Sequence, residues 1–152
     1  MKKNVLIKSS GDTNNNDDVH QFAITMAQNS YVVMIVGVGG KLNQALSDAG
    51  FPIEFGSDGR NTDNWGYAQR KIYCDVCDEE VTRVQDLLTG TGITIIPCYL
   101  RIAEVISPIN GDMLVRALYK GYDEIYLFTL ADRLAKKKVE LADIPKIKVI
   151  PI

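Results

Sequence analysis

Histidine occurs once in the 152 residues, at His20, and cysteine three times, at Cys74, Cys77 and Cys98. One histidine leaves no pattern for a nucleophile–histidine–acid triad. Cys74-Asp75-Val76-Cys77 has C-x-x-C spacing, but a zinc site needs four ligands and only Cys98 and His20 remain to complete it. No second C-x-x-C exists, so no metal is assigned and the cysteines are expected to be small buried residues. Their odd number fits a reducing cytoplasm better than a disulfide framework. Long apolar runs are missing too: none approaches the ~20 residues of a membrane-spanning helix. The five apolar or small residues after Met1-Lys2-Lys3 are too few for a signal peptide. A basic excess is also lacking. The formal charge of −2 and pI near 5.4 argue against nucleic acid or a membrane surface as partner. The expected setting is cytoplasmic.

What the chain does have is two short apolar runs that end in glycine and lysine. The first is Val5-Leu6-Ile7-Lys8-Ser9-Ser10-Gly11-Asp12 and the second Val33-Met34-Ile35-Val36-Gly37-Val38-Gly39-Gly40-Lys41. Such runs read as buried parallel strands, each followed by a helix. At a strand-to-helix turn, free N–H groups and the helix dipole favour an anion. Two such cradles point to a ligand bearing phosphate or carboxylate. The P-loop spacing G-x-x-x-x-G-K-[ST] is absent.

The rest of the chain alternates in the same way. Asn14-Asn15-Asn16-Asp17-Asp18 suits a ligand-side loop and helix cap. Val19, Phe22, Ala23, Met26 and Ala27 mark one helix face. A strand at Tyr31–Val36 and a helix at Lys41–Ala49 follow, stopped by Gly50. Phe51–Gly59, with Asp58-Gly59 as a turn, reads as a hairpin or flap. Asn61-Thr62-Asp63 caps a helix through Ile72, and a separate helix spans Asp78–Leu88. Strands are expected at Ile93–Ile96, Ile125–Phe128 and Ile147–Ile150, with an edge ribbon over Tyr99–Ile106. Asn110-Gly111-Asp112 opens a helix with Met113, Leu114, Ala117 and Leu118 inward. Lys136–Lys138 reads as a solvated helix face, and Trp65, Tyr67 and Tyr73 as core or an oligomer face. This alternation predicts one α/β domain over 1–152, a three-layer α/β/α sandwich with a mainly parallel sheet. Its ligand site should lie at the carboxyl ends of the strands.

In that order the strand ends resemble the amino acid kinase family, which includes uridylate and acetylglutamate kinases. Lys8-Ser9-Ser10-Gly11-Asp12 looks like the K-x-S-G-E opening of bacterial uridylate kinases, and Val36–Asn43 like the family's second glycine-rich loop. Gly59-Arg60-Asn61-Thr62-Asp63 is similar to the G-x-R-x-T-D element of acetylglutamate kinases. Asn110-Gly111-Asp112, a helix and Ile125–Thr129 resemble the family's N-x-D, helix and apolar strand. The resemblance implies that Lys8 neutralises a transferred phosphoryl group and that Asp112 orients that lysine. It implies an acceptor anion held by Ser10, Gly11, Gly37, Gly39, Gly40, Arg60 and Asn110, with Thr129 and Asp132 toward a nucleotide. ATP with Mg²⁺ is the implied cofactor, and the chemistry is charge stabilisation and positioning. The sequence departs from the family at Leu130 and Arg133, where T-D-x-x-G is usual, and it stops where a second, nucleotide-holding lobe begins. The expected function is therefore a kinase-like protein binding a small anionic molecule, as a phosphotransferase needing a partner for the nucleotide. The alternative is an inactive binding or assembly subunit in a homo- or hetero-oligomer with a related chain.

Overall fold

The structure is a computed structural model that describes residues 1–57 and 59–152. Its strands and helices follow in the order β1 (Lys3–Ser9), α1 (Asp17–Ala27), β2 (Ser30–Val36), α2 (Gly39–Asp48), β3 (Phe55–Gly56), β4 (Gly59–Arg60) and α3 (Tyr67–Leu87). Then come β5 (Thr94–Ile96), β6 (Tyr99–Ile102), β7 (Val105–Pro108), α4 (Gly111–Leu118), β8 (Glu124–Thr129), α5 (Leu134–Glu140) and β9 (Ile147–Pro151). Five strands pair in the order β5-β2-β1-β8-β9, all parallel. Two short antiparallel hairpins, β3–β4 and β6–β7, stand outside that sheet.

β1 lies at the centre, and five consecutive residues from Val5 to Ser9 are buried. A strand covered on both faces has no solvent side to keep polar, so its sequence runs apolar without alternation. Alternate residues then serve two cores. Leu6, Ile35, Ile125 and Leu127 face Leu42 and Leu46 of α2 and Val115 of α4. Val5, Ile7, Met34 and Phe128 face Val19 and Ala23 of α1. This is the expected α/β sandwich.

The helices correct the sequence reading in one place. Residues 67–87 form a single helix, not two. No glycine or proline interrupts it, so nothing stops helix propagation. Its first half sends Tyr73 and Cys77 into one core, its second half Val84, with Leu88 at its C-cap, into the other. The change of partner midway hides the one-face periodicity.

Smaller corrections follow from packing. Met113 is exposed and only Val115 of α4 is fully buried. His20 is buried and its Nε2 donates to the Asn14 carbonyl at 2.8 Å. The edge ribbon is a hairpin of its own that packs on α3. Trp65 and Tyr73 join the core, whereas Tyr67 is exposed. The Phe51–Gly59 flap contains the β3–β4 hairpin, and Asp58 of its expected turn lies outside the described residues. All three cysteines are buried and unpaired by disulfides. Among the described residues, no helix is long and apolar enough to cross a membrane.

Candidate functional site

From β1 the chain steps outward to β2, whereas β8 and β9 lie on the other side, so the strand order diverges at β1. Parallel sheets bind ligands outside the carboxyl ends of strands at such a point. A cleft of about 530 Å³ opens there, lined by Lys8, Gly11, Gly39, Arg60, Asp112 and Lys137 among others.

Two glycine loops form its floor. A Cβ on Gly11 would stand 2.7 Å from Gly39 N and 2.9 Å from Val38 C. One on Gly37 would lie 3.1 Å from Gly11 N. The loops after β1 and β2 thus touch backbone to backbone, which only residues without side chains allow. Among the described residues, the N–H groups of Gly11, Val38, Gly39 and Gly40 have no backbone acceptor. These four residues line the cleft. Gly40 has open space around it, so its place needs no glycine. Helix α2 starts at Gly39 with no side chain capping it.

The charged wall comes from α4 and α5. Asn110 caps α4 by accepting from Asp112 N at 2.9 Å, which fixes Asp112 in the first turn. There its carboxylate stands between two ammonium groups. Lys8 Nζ lies 3.5 Å from Oδ1, and Lys137 Nζ donates to Oδ2 at 2.6 Å. Oδ1 is buried and accepts no hydrogen bond among the described residues. Burial by itself would raise the Asp112 carboxyl, but Lys8 and Lys137 together hold it below the usual range. Burial likewise works against the Lys137 ammonium, and its bonds to Asp112 and Glu140 more than restore it. Lys8 reaches this position because Gly111 leaves room: a Cβ there would sit 2.9 Å from Lys8 Cε.

On the opposite side stands Arg60 of β4. Its Nη2 donates to the Gly39 carbonyl at 3.1 Å, its Nε donates to Asn43 Oδ1 at 3.2 Å, and its face covers Phe55. No carboxylate among the described residues pairs with it. Burial lowers its pKa from the ordinary arginine value, the direction expected for a desolvated cation. Gly59, at φ +105°, packs so closely on Asn110 Nδ2 that a side chain would overlap it.

Most of the residues singled out from sequence thus meet in one place: Lys8, Ser10, Gly11, Gly37, Gly39, Gly40, Arg60, Asn110, Asp112 and Thr129 all line the cleft. Asp132 does not. It is exposed on a 3-10 turn, Ala131–Arg133. Sequence reasoning missed Lys137, read as a solvated face. It also missed Asn43, which steadies Arg60, and Arg133, which bonds Asp12 at 2.9 Å across the cleft mouth. Glu140, three residues after Lys137, was the one local hint of a fixed lysine. Buried beside Lys8, the Cys98 thiol is pushed up to about 11 and stays protonated at neutral pH. No group of three or more His, Cys, Asp or Glu side chains that could hold a metal gathers among the described residues.

No family model matches the sequence, and no curated protein does. Solved structures do. N-acetylglutamate synthase from Neisseria gonorrhoeae, complexed with coenzyme A and N-acetyl-glutamate, matches with a TM-score of 0.55 and 11% identity. That match covers 86% of this chain and 42% of the synthase. The same synthase with coenzyme A and L-arginine matches at 0.58 and 10%, over 86% and 44%. At such identities the likeness is one of fold, a parallel sheet flanked by helices. This chain spans less than half the length of the synthase chains it matches.

Proposed function

We propose that the cleft binds a small molecule bearing phosphate or carboxylate, and that the chain is a phosphotransferase of the amino acid kinase type. The observation that carries this is Asp112 set between Lys8 and Lys137 beside free backbone amides. Two ammonium groups held apart by one carboxylate leave a net positive charge where donors converge, the arrangement that stabilises transferring phosphoryl oxygens.

The donors fit ATP as the implied cofactor: Lys8, Lys137 and the amides of Gly11 and Gly39 suit phosphate oxygens. Mg²⁺ would be carried on the phosphates, since it is usually held by few carboxylates and by substrate. When bound, ATP would supply the phosphoryl group. Lys8 and Lys137 meet its charge, Asp112 fixes their ammonium groups, and Arg60, steadied by Asn43, faces the acceptor's anionic end. Lys137 serves as the second phosphate lysine of the site beside Lys8. A partner, either a second copy or a related subunit, would complete the nucleotide side of the cleft. The outer strand β9 offers that partner an edge with no neighbour in the sheet. Light scattering tests that part: a monomer at high concentration, with and without Mg-ATP, counts against it.

Calorimetric titration with Mg-ATP, ADP, UMP, N-acetyl-glutamate and inorganic phosphate tests the main reading. Micromolar to millimolar binding that Lys8→Ala abolishes, with the melting transition kept, is the expected result. Equal binding by the variant, or none by the parent chain, overturns it. A second reading, binding without transfer, is favoured by Arg133. It stands where the family has glycine and ties down Asp12 at the cleft mouth. Phosphate binding with no turnover of Mg-ATP on any acidic acceptor would select it.

A further inference from the structure

Behind the glycine loops lies a buried polar cluster that anion binding leaves unused. At its centre is Glu80 of α3, 2% exposed. Arg83 Nη2 donates to its Oε1 at 2.6 Å, Asn14 Nδ2 donates to the same oxygen at 3.1 Å, and Lys41 donates to Oε2. Burial alone would raise this carboxyl, but Arg83, Lys41 and Asn14 hold it down to about 2. Glu80 is thus an ionised acceptor, and the amide of Asn14 must turn its nitrogen toward it. The second hydrogen of that nitrogen goes to the Gly37 carbonyl at 2.6 Å. Asn14 itself is fully buried.

That last bond bears on the cleft. Among the described residues no peptide is cis, and in a trans peptide the C=O and the next N–H point in opposite directions. Capture of the Gly37 carbonyl by Asn14 therefore turns the Val38 N–H away from Asn14. Val38 lines the cleft, and its N–H has no backbone acceptor among the described residues. Glycine at 37 is needed for the close approach to Gly11, but it also leaves the following peptide free to flip. Something must hold it.

We propose that Asn14, anchored by Glu80, is a positioning residue of the anion site: it fixes the Gly37–Val38 peptide so that the Val38 N–H is presented to the bound anion. This rests on the anion-binding reading above. Asn14 never touches the ligand. It acts through one peptide group.

Inorganic phosphate is the probe, with amide spectra and calorimetry as readouts. In the parent chain, phosphate is expected to shift the Val38 amide along with those of Gly11 and Gly39. Asn14→Ser should raise the phosphate Kd about tenfold, as for loss of one charge-assisted hydrogen bond, and abolish the Val38 shift. Arg83→Met serves as the control for a purely structural role. It removes two bonds to Glu80 and one of 3.5 Å to the Asn14 carbonyl, and lowers the melting temperature, yet leaves the Asn14 side chain its acceptors at Glu80 and Gly37, so its Kd should stay within about twofold. Should Asn14→Ser not fold, the parent chain still decides: phosphate binding that moves Gly11 and Gly39 but not Val38 overturns the proposal. So does an Asn14→Ser Kd no different from that of Arg83→Met. A parent chain that binds no phosphate overturns the anion reading itself, which is a separate result.

Discussion

At the scale of single residues, charge pairing and burial decide the behaviour. Lys8 and Lys137 share Asp112, whereas Lys136, one position away, is exposed and reaches only Glu140. Lys137→Ala should therefore weaken phosphate binding by about tenfold, and Lys136→Ala should leave it within twofold, both read by calorimetry. Glu80 gives a pH signature. Its folded-state pKa lies below the unfolded value of 4.5, at about 2. Between those values the unfolded chain binds the proton first, so stability is full above 4.5 and falls as pH drops toward 2. The shift amounts to roughly 3 kcal/mol. Thermal melts from pH 6 to 2 should show that loss, and Glu80→Gln should flatten it. The sequence revealed Lys8 and Asp112 because Gly11 follows the one by three residues and Gly111 directly precedes the other, in a familiar order. It could not reveal Glu80, Asn14 or Lys137. A buried acid on a long helix looks like any surface acid until its three donors, from α1's loop, α2 and α3, are brought together.

Among elements, the contact between the loops after β1 and β2 governs the site. Gly11→Ala would drive a methyl into the backbone of Val38 and Gly39, which cannot swing aside. The cost should be about 1–3 kcal/mol, with anion binding lost. Gly111→Ala meets Lys8 Cε, the far part of a flexible chain. It should keep most of the stability, while phosphate affinity falls because Lys8 is displaced. Comparing the two melting curves and titrations checks the distinction. The strands of the sheet were legible because buried parallel strands write themselves as apolar runs bounded by glycine. Helix α3 was not, since it serves two cores and shows neither face consistently. The asparagine run reads as a ligand-side loop and a helix cap, and Asn16 is that cap, accepting from Asp18 N at 2.8 Å. Asn14 turns inward to contacts 23 and 66 residues away.

For the whole molecule, the relevant fact is a contrast of sign. The chain carries a formal charge of −2, yet the cleft is lined by Lys8, Arg60, Arg133, Lys136 and Lys137 against Asp12 and Asp112. A positive cleft on an acidic body should select small anions that enter it and repel extended polyanions. Phosphate affinity should accordingly weaken several-fold between about 0.02 and 0.5 M salt, as screening shortens the field. The architecture follows from composition and alternation, and the matched synthase structures share it. The measurement that bears most directly on the central claim is a crystal structure of the chain grown with millimolar phosphate. The anion should lie against Lys8 Nζ and the amides of Gly11 and Gly39, with Lys137 on its far side. Phosphate absent from that cleft, or bound only elsewhere on the surface, would contradict the account.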